Sequence, residues 1–130
     1  MPPDEPTFGQ QVTFLYVQDL EVSSRFYGDL LGLPLALDQG ACRIYTVTPT
    51  AFIGLCTCRD TPRPADVILT LVTEDVRAWQ TRLETAGVPL ETPTRYNPRF
   101  DITHLFVRDP DGYRVEIQHF HAPNWPTPEP

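Results

Sequence analysis

Two stretches of alternating apolar and β-branched residues each precede a segment with helical spacing. Residues 12–17 (VTFLYV) and 67–72 (VILTLV) have the length and composition of β-strands. Each following segment carries one apolar stripe, as expected of a helix packed on a sheet. The stripe residues are Val22, Phe26 and Leu30 in the first segment, and Val76, Trp79 and Leu83 in the second.

The two stretches form a repeat at an offset of 55 residues, from Val12/Val67 through Leu35/Leu90. A repeat of this length indicates one supersecondary unit used twice. Further strands are predicted near 34–38, 42–48 and 52–57, and again near 88–92, 102–107 and 113–120. The order βαβββ therefore occurs twice. It predicts an α+β fold in which two curled, mixed sheets enclose a cavity, and cavities of this kind bind small molecules.

The predicted organisation is one domain built from two units, with an arm before the first unit and a Pro-rich tail after the second. The ranges are an N-terminal arm 1–10, a first βαβββ unit 11–58, a linker 59–65, a second unit 66–121 and a Pro-rich tail 122–130. Trp125 in the tail has two interpretations: an anchor on a partner subunit, or a loosely packed aromatic.

Charge and composition exclude several classes of partner. The net charge of −7 over 130 residues argues against nucleic acid and anionic membrane surfaces. No apolar run approaches the roughly 20 residues of a membrane span, and the acidic, Pro-rich start (MPPDEP) does not resemble a signal peptide. Three cysteines (Cys42, Cys56 and Cys58) do not make a disulfide framework. Cys56 and Cys58 are interpreted as small buried hydrophobes, and a cytoplasmic location is expected.

Three motifs carry a resemblance to a known superfamily. They are YVQDL (16–20), FYGDLLGL (26–33) and FVRDPDGYRVEI (106–117). With the repeat, they make the chain similar to the vicinal oxygen chelate superfamily over about residues 12–120. That superfamily includes glyoxalase I, extradiol dioxygenases, fosfomycin-resistance proteins and bleomycin-binding proteins. The resemblance also implies a homodimer with paired or exchanged units.

The resemblance implies a set of positions at which the metal enzymes of the superfamily place their ligands. These positions open the first and fifth strands and lie in the fourth and eighth. Carried over by spacing, they fall on Val12, Val67, near Gly54, and Glu116. Only Glu116 offers a donor atom, and valine and glycine side chains cannot bind a divalent ion. No metal site and no cofactor are therefore expected.

A register shifted by one residue would give a different set. Gln11, Asp66 and Glu116 would then supply oxygen ligands that suit Mg²⁺ or Mn²⁺. A one-residue slip turns a side chain to the opposite face of a sheet, which argues against this alternative.

Strand alternation predicts which side chains face the cavity. The candidate ligand-binding residues are Phe14, Tyr16, Tyr45, Phe52, Leu69, His104, Arg114, Glu116 and Gln118. Arg43 is expected beside Tyr45. The irregular stretch 94–101, with Tyr96, Arg99 and Phe100, is interpreted either as a gating loop or as a solvated connection.

Two classes of function remain open. The first is metal-free binding of a small aromatic or amphipathic molecule between the βαβββ units. The alternative is an enzyme: a divergent metal-dependent lyase, isomerase or dioxygenase, or a metal-free catalyst that uses Glu116 as general base near Arg114, Tyr16 or His104. A third interpretation, with less support, makes the aromatic sheet face a dimer seam only.

Overall fold

The computed structural model describes residues 8, 10–57 and 67–126. The chain divides into two compact units, residues 1–62 and 63–130. The predicted linker, Cys58, Asp66, most of the N-terminal arm and the last four residues of the tail lie outside the described part. No helix within that part is long and apolar enough to cross a membrane.

Each unit has the order strand, helix, strand, strand, strand. The first contains β1 (Gln11–Val17), α1 (Leu20–Ser24) continuing into a π-helical turn (Arg25–Leu30), β2 (Leu35–Asp38), β3 (Cys42–Thr48) and β4 (Ala51–Thr57). The second contains β5 (Ile68–Val72), α2 (Val76–Thr85), β6 (Leu90–Asn97), β7 (Ile102–Arg108) and β8 (Arg114–Phe120).

Both units form an open, four-stranded mixed sheet. The strand orders are β1-β4-β3-β2 and β5-β8-β7-β6. In each sheet the first strand pairs in parallel with the last strand of its unit, and the remaining pairs are antiparallel. The predicted α+β architecture of two βαβββ units is therefore confirmed.

Each sheet packs one face against the helix of its own unit, and the opposite face, which that helix does not cover, is called the open face below. The helix faces carry the most deeply buried residues of the chain, among them Leu15, Val17 and Leu55 in the first unit, and Leu105, Val107, Val115 and Ile117 in the second. Burial of these aliphatic side chains is the main source of stability for each unit.

The repeat is offset by 56 residues at its helix starts, not 55. Asp19 and Asp75 cap the two helices by accepting hydrogen bonds from backbone N–H groups three residues on, at 3.1 and 3.0 Å. Gly32 and Gly87 follow the helices with φ of 75° and 77°, and they are 55 residues apart. The first helix therefore holds one extra residue, and its π-helical turn accommodates it.

This extra residue corrects the expected faces of β5. The residue equivalent to Val12, seven positions before the helix cap, is Ile68 and not Val67. Since side chains alternate along a strand, a shift of one residue exchanges the two faces of β5.

The stretch 94–101 is more regular than the sequence indicates. Strand β6 runs to Asn97, so Tyr96 belongs to the strand and only a short turn remains before β7. The Tyr96 hydroxyl donates to Asp101 Oδ1 at 2.7 Å, and this hydrogen bond raises the pKa of Tyr96. Arg99 and Phe100 are exposed in the turn.

A disulfide joins Cys42 to Cys56, which corrects the expectation that the cysteines are unpaired. The two residues are direct cross-strand partners on β3 and β4, with Cα atoms 4.1 Å apart. Cys56 is half-buried rather than a core residue. In the tail, Trp125 stacks on Phe120 with ring centroids 3.7 Å apart.

Candidate functional site

The open face of the second sheet gathers polar side chains around Glu116. On β8, Val115 and Ile117 point into the helix-side core, so Glu116 points the other way. The strand registers set Thr70 of β5 and Phe106 of β7 directly opposite Glu116. Partners in register share a face, and three strands therefore contribute to one cluster.

The carboxylate of Glu116 accepts hydrogen bonds from three side chains. The Thr70 hydroxyl donates to Oε1 at 2.8 Å, and Nδ1 of His104 lies 2.6 Å from Oε2. The Gln118 amide, oriented to satisfy its hydrogen bonds, donates to Oε2 at 2.7 Å and to Oε1 at 3.0 Å. The Glu116 side chain is only 12% exposed. A buried carboxylate is stable when hydrogen-bond donors surround it in this way.

His104 is deeply buried, as is Gln118, and each residue is 5% exposed. Nδ1 of His104 and the carboxylate of Glu116 share one hydrogen bond, so Nε2 is the ring nitrogen that this bond does not use. Nε2 is buried and has no hydrogen-bond partner among the residues that the structure describes. A buried polar atom without a partner is destabilising, which marks this atom as unusual.

An aromatic and cationic flank adjoins the cluster. The rings of His104 and Phe106 meet edge to face at 5.2 Å, and the Arg114 guanidinium lies 4.4 Å from the Phe106 centroid. Arg114 also bonds Glu91 at 3.0 Å, and Arg108 donates to the same carboxylate. The hydrogen bond from Arg108, with further help from the charge of Arg114, lowers the pKa of Glu91.

The first unit also presents an apolar open face. Phe14 and Tyr16 of β1 are 53% and 63% exposed, and Phe52 of β4 lies on the same face, opposite Val12. The Phe14 ring covers Gly54, where a Cβ atom would lie 2.4 Å from Phe14 Cδ1. Aromatic side chains exposed in one patch are typical of a binding surface.

Two of the predicted ligand-binding residues lie on the helix side of their sheets. Tyr45 is 6% exposed and lies against Gly28 of the π-helical turn. Its neighbour Arg43 bonds Ser24 and Glu21 of α1. Leu69 is 8% exposed and opposite Val115, on the face away from Glu116.

Both errors have a physical cause in the strand registers. The face of Leu69 follows from the corrected offset of the repeat, because Thr70 takes the position that Leu69 was expected to occupy. The face of Tyr45 is set by the register of β3 on β4, which pairs Tyr45 with Ile53, a core residue of the helix side.

Other predicted residues lie on the open faces as expected from alternation. Phe14, Tyr16 and Phe52 belong to the first sheet. His104, Arg114, Glu116 and Gln118 belong to the second. Thr70 is the residue that the sequence prediction missed, and the helix-cap spacing from Asp19 to Asp75 is the signal that could have identified it.

The side chains at the expected metal-binding positions do not fit a metal ion. They are Val12, Gly54, Ile68 after the corrected offset, and Glu116. Three offer no donor atom, and both oxygens of Glu116 accept hydrogen bonds from neighbouring side chains. Within the described ranges, no three His, Cys, Asp or Glu side chains are gathered as an ion would require. Asp66, part of the alternative set, lies outside them.

A groove at the end of α2 lies away from the polar cluster. It encloses about 590 Å³ between the end of α2 and β6 and is lined by Gln80, Glu84, Gly87, Val88, Pro89, Leu90 and Pro93. It is wide open to solvent and contains one carboxylate but no histidine. Acid–base and donor–acceptor chemistry is concentrated instead around Glu116, so we take the open face as the candidate site.

The sequence matches the model of the Glyoxalase/Bleomycin resistance protein/Dioxygenase superfamily over residues 9–117. This range covers most of both units. A comparison with curated proteins found no match.

Solved structures share the fold at low sequence identity. A lactoylglutathione lyase from Agrobacterium tumefaciens is 21% identical, with a TM-score of 0.75 over 96% of this chain and 100% of that one. A glyoxalase-related enzyme from Fulvimarina pelagi is 25% identical, with a TM-score of 0.72 over 90% of each chain. A glyoxalase/bleomycin resistance protein/dioxygenase from Nocardioides is 18% identical, with a TM-score of 0.74 over 98% of this chain and 91% of that one. At these identities the likeness concerns the fold.

Proposed function

The chain belongs to the glyoxalase/bleomycin resistance protein/dioxygenase superfamily, and we propose that it binds a small aromatic or amphipathic molecule without a metal ion. The ligand lies on the open face of the second sheet, where the Phe106 ring offers apolar contact and the His104–Glu116 pair offers a polar one. Membership of the superfamily does not decide whether a protein binds a ligand or catalyses a reaction, since proteins with this fold do both.

The observation that carries the proposal is the hydrogen bonding of Glu116. In a metal site this carboxylate would turn a lone pair toward an ion and act with donors from other strands. Here it accepts from Thr70, His104 and Gln118, while the matching positions on β1 and β5 hold Val12 and Ile68. These polar groups therefore hydrogen-bond to one another, and the side chains around them offer apolar contacts to a ligand.

The flank of the cluster supports an aromatic or amphipathic ligand. Phe106 is half-buried and presents a ring between His104 and Arg114. The exposed aliphatic residues Ile68 and Val72 stand on the same face, 50% and 54% exposed. Apolar walls with a few polar groups are usual for small-molecule sites.

The test measures binding in the absence of metal. Protein dialysed against EDTA is first assayed for residual metal by elemental analysis. It is then titrated with 1-anilinonaphthalene-8-sulfonate, an amphipathic aromatic probe. We expect saturable binding that is unchanged when Mn²⁺ or Zn²⁺ is added back. Binding that requires a stoichiometric metal ion would overturn the proposal, and so would the absence of saturable binding.

Two matched variants locate the probe. Phe106→Ala removes the ring on the open face and should weaken binding about 10-fold, which corresponds to the loss of roughly 1.4 kcal/mol of aromatic contact. Phe100→Ala removes a 61% exposed ring in the β6–β7 turn and should leave the affinity unchanged. Cooperative thermal unfolding of each variant excludes nonspecific probe binding to a loosened core.

A further inference from the structure

The open face of the second sheet carries three arginines, although the whole chain has a net charge of −7. Arg108 of β7 and Arg114 of β8 are direct cross-strand partners, and Arg95 of β6 is the partner of His104 on β7. We infer that the ligand of this face carries an anionic group (a carboxylate, sulfonate or phosphate on its ring system) that binds Arg114 and Arg95. This inference rests on the proposed function and names the class of ligand.

The charges on this face do not balance. Arg108 and Arg114 lie directly opposite each other and repel, and Glu91 offsets that repulsion by bonding both. Glu116 is the second carboxylate of the face. Even with both carboxylates ionised, three arginines against two carboxylates leave an excess of one positive charge. A positive patch on an otherwise acidic protein attracts anions to that patch.

Two of the three arginines have hydrogen-bond donors to spare. Arg108 does not, because Nε and Nη2 donate to Glu91 and Nη1 donates to the Gly112 carbonyl. Arg114 is 31% exposed, and among the described contacts it uses only Nη2, on Glu91 at 3.0 Å. Arg95 is exposed and forms no ion pair with the residues that the structure describes. Since a guanidinium has five N–H groups and matches the oxygens of an anion, Arg114 and Arg95 are the groups able to bind one.

These two arginines flank the strand that offers the aromatic surface. Strand β7 lies between β8 and β6 and presents Phe106 on the open face. The Arg114 guanidinium lies 4.4 Å from the Phe106 centroid, so an acidic group on a ring beside Phe106 comes within its reach. Arg95 stands on the other side of β7, and neighbouring strands are only about 4.8 Å apart. An aromatic acid therefore meets apolar contact and positive charge together, whereas a neutral ring gains only the apolar contact.

Two probes that differ in one charge test the inference. 2-Naphthoate carries a carboxylate, and 2-naphthamide has a neutral amide in its place. Their dissociation constants are measured by calorimetry at neutral pH on the full-length protein. We expect wild type to bind 2-naphthoate about 5- to 10-fold more tightly, since a charge-assisted hydrogen bond is stronger than a neutral one. Raising the salt concentration from about 0.02 M to about 0.5 M should remove most of this preference and leave the binding of 2-naphthamide in place, because salt screens exposed charges.

Variants assign the preference to the two arginines. Arg114→Gln and Arg95→Gln should each lower the ratio of the two affinities about 3-fold, as the loss of an exposed ion pair typically does, and the double variant should bind both probes equally. Arg77→Gln is the matched control, because it removes the same charge from an exposed position of α2, and it should keep the wild-type ratio. Glu91→Gln removes the carboxylate that competes for Arg114 and should raise the ratio about 2-fold, which the loss of a merely structural contact would not do.

The outcomes separate the two proposals. If both probes bind wild type equally at low salt, or if the double variant keeps the preference, the inference fails while metal-free ring binding stands. The inference also fails if Arg77→Gln loses the preference as fully as the double variant, because the effect would then be one of net charge. If neither 2-naphthoate nor 2-naphthamide binds, ring binding on this face is contradicted, and the inference falls with it.

Discussion

The hydroxyl of Thr70 and the carboxylate of Glu116 are joined by a hydrogen bond of 2.8 Å that links β5 to β8 on the open face. The bond connects strands 46 residues apart in sequence. It also means that the parallel strand pair of the second sheet contributes directly to the candidate site, and is not only a structural support.

Replacing Thr70 by valine tests the strength of this link. Thr70→Val keeps the shape of the side chain and removes the donor to Glu116, so the free energy of unfolding should fall by about 1 kcal/mol. Urea denaturation measures the change. Thr81→Val, which removes a hydroxyl that donates to the Arg77 carbonyl of its own helix, is the control and should stay within about 0.5 kcal/mol of wild type. Equal effects of the two substitutions would contradict this account of Glu116.

The ion pairs of Glu91 should make stability depend on pH in the acid range. Arg108 and Arg114 lower the pKa of Glu91 in the folded protein. The resulting stabilisation is present above the unfolded-state pKa of about 4.3 and is lost as the pH falls through the lower folded-state value. Glu91→Gln should therefore flatten the acid side of the curve of unfolding free energy against pH, and Arg108→Gln should do the same. A Glu91→Gln curve parallel to that of wild type would contradict the prediction.

Two glycines should respond differently to alanine although both meet an aromatic ring. At Gly28 a Cβ atom would lie 3.0 Å from Tyr45 Cε1, and Tyr45 is held in the core. At Gly54 the nearest ring belongs to Phe14, which is 53% exposed and free to rotate away. Gly28→Ala should lower the unfolding free energy by about 1 kcal/mol or more, since overpacking outweighs the gain in helix propensity. Gly54→Ala should have the smaller effect in the same assay, despite the shorter distance of 2.4 Å. The reverse order would show that the Phe14 ring is fixed.

The π-helical turn predicts that the two helices tolerate deletions unequally. Removing Arg25, an exposed residue of the turn, should leave a regular α-helix of the same length as its counterpart, and cooperative unfolding should persist. Removing Arg77 from α2 has no such compensation and turns Val76 and Leu83, both buried, onto different faces. Exposing one buried leucine side chain lowers the free energy of unfolding by about 2–3 kcal/mol. Thermal unfolding followed by circular dichroism compares the two deletions, and similar losses of stability would argue against the inserted-residue explanation.

The sequence was sufficient for the architecture because its strongest signals are local. The apolar alternation along β1 and the apolar stripes of the two segments with helical spacing predict elements that the structure contains. The faces of His104 and Glu116 also follow from alternation, because β7 and β8 are regular and directly paired.

The predictions that were wrong concern features that change when the register of a strand shifts by one residue. An extra residue inside the first helix changes the repeat offset from 55 to 56 at the caps, and this moves Thr70 onto the open face in place of Leu69. The register of β3 on β4 pairs Tyr45 with Ile53 on the helix side and brings Cys42 to Cys56. Pattern periods of two and 3.6 residues carry no information about single insertions, so these features require the three-dimensional pairing.

The central claim is that a small aromatic or amphipathic molecule binds beside Glu116 without a metal ion. A crystal structure of the protein with 1-anilinonaphthalene-8-sulfonate, grown with Mn²⁺ present, tests it most directly. We predict that the aromatic rings of the probe lie against Phe106 and that Glu116 carries no ion. A Mn²⁺ ion coordinated by Glu116, or the probe bound elsewhere, would contradict the account.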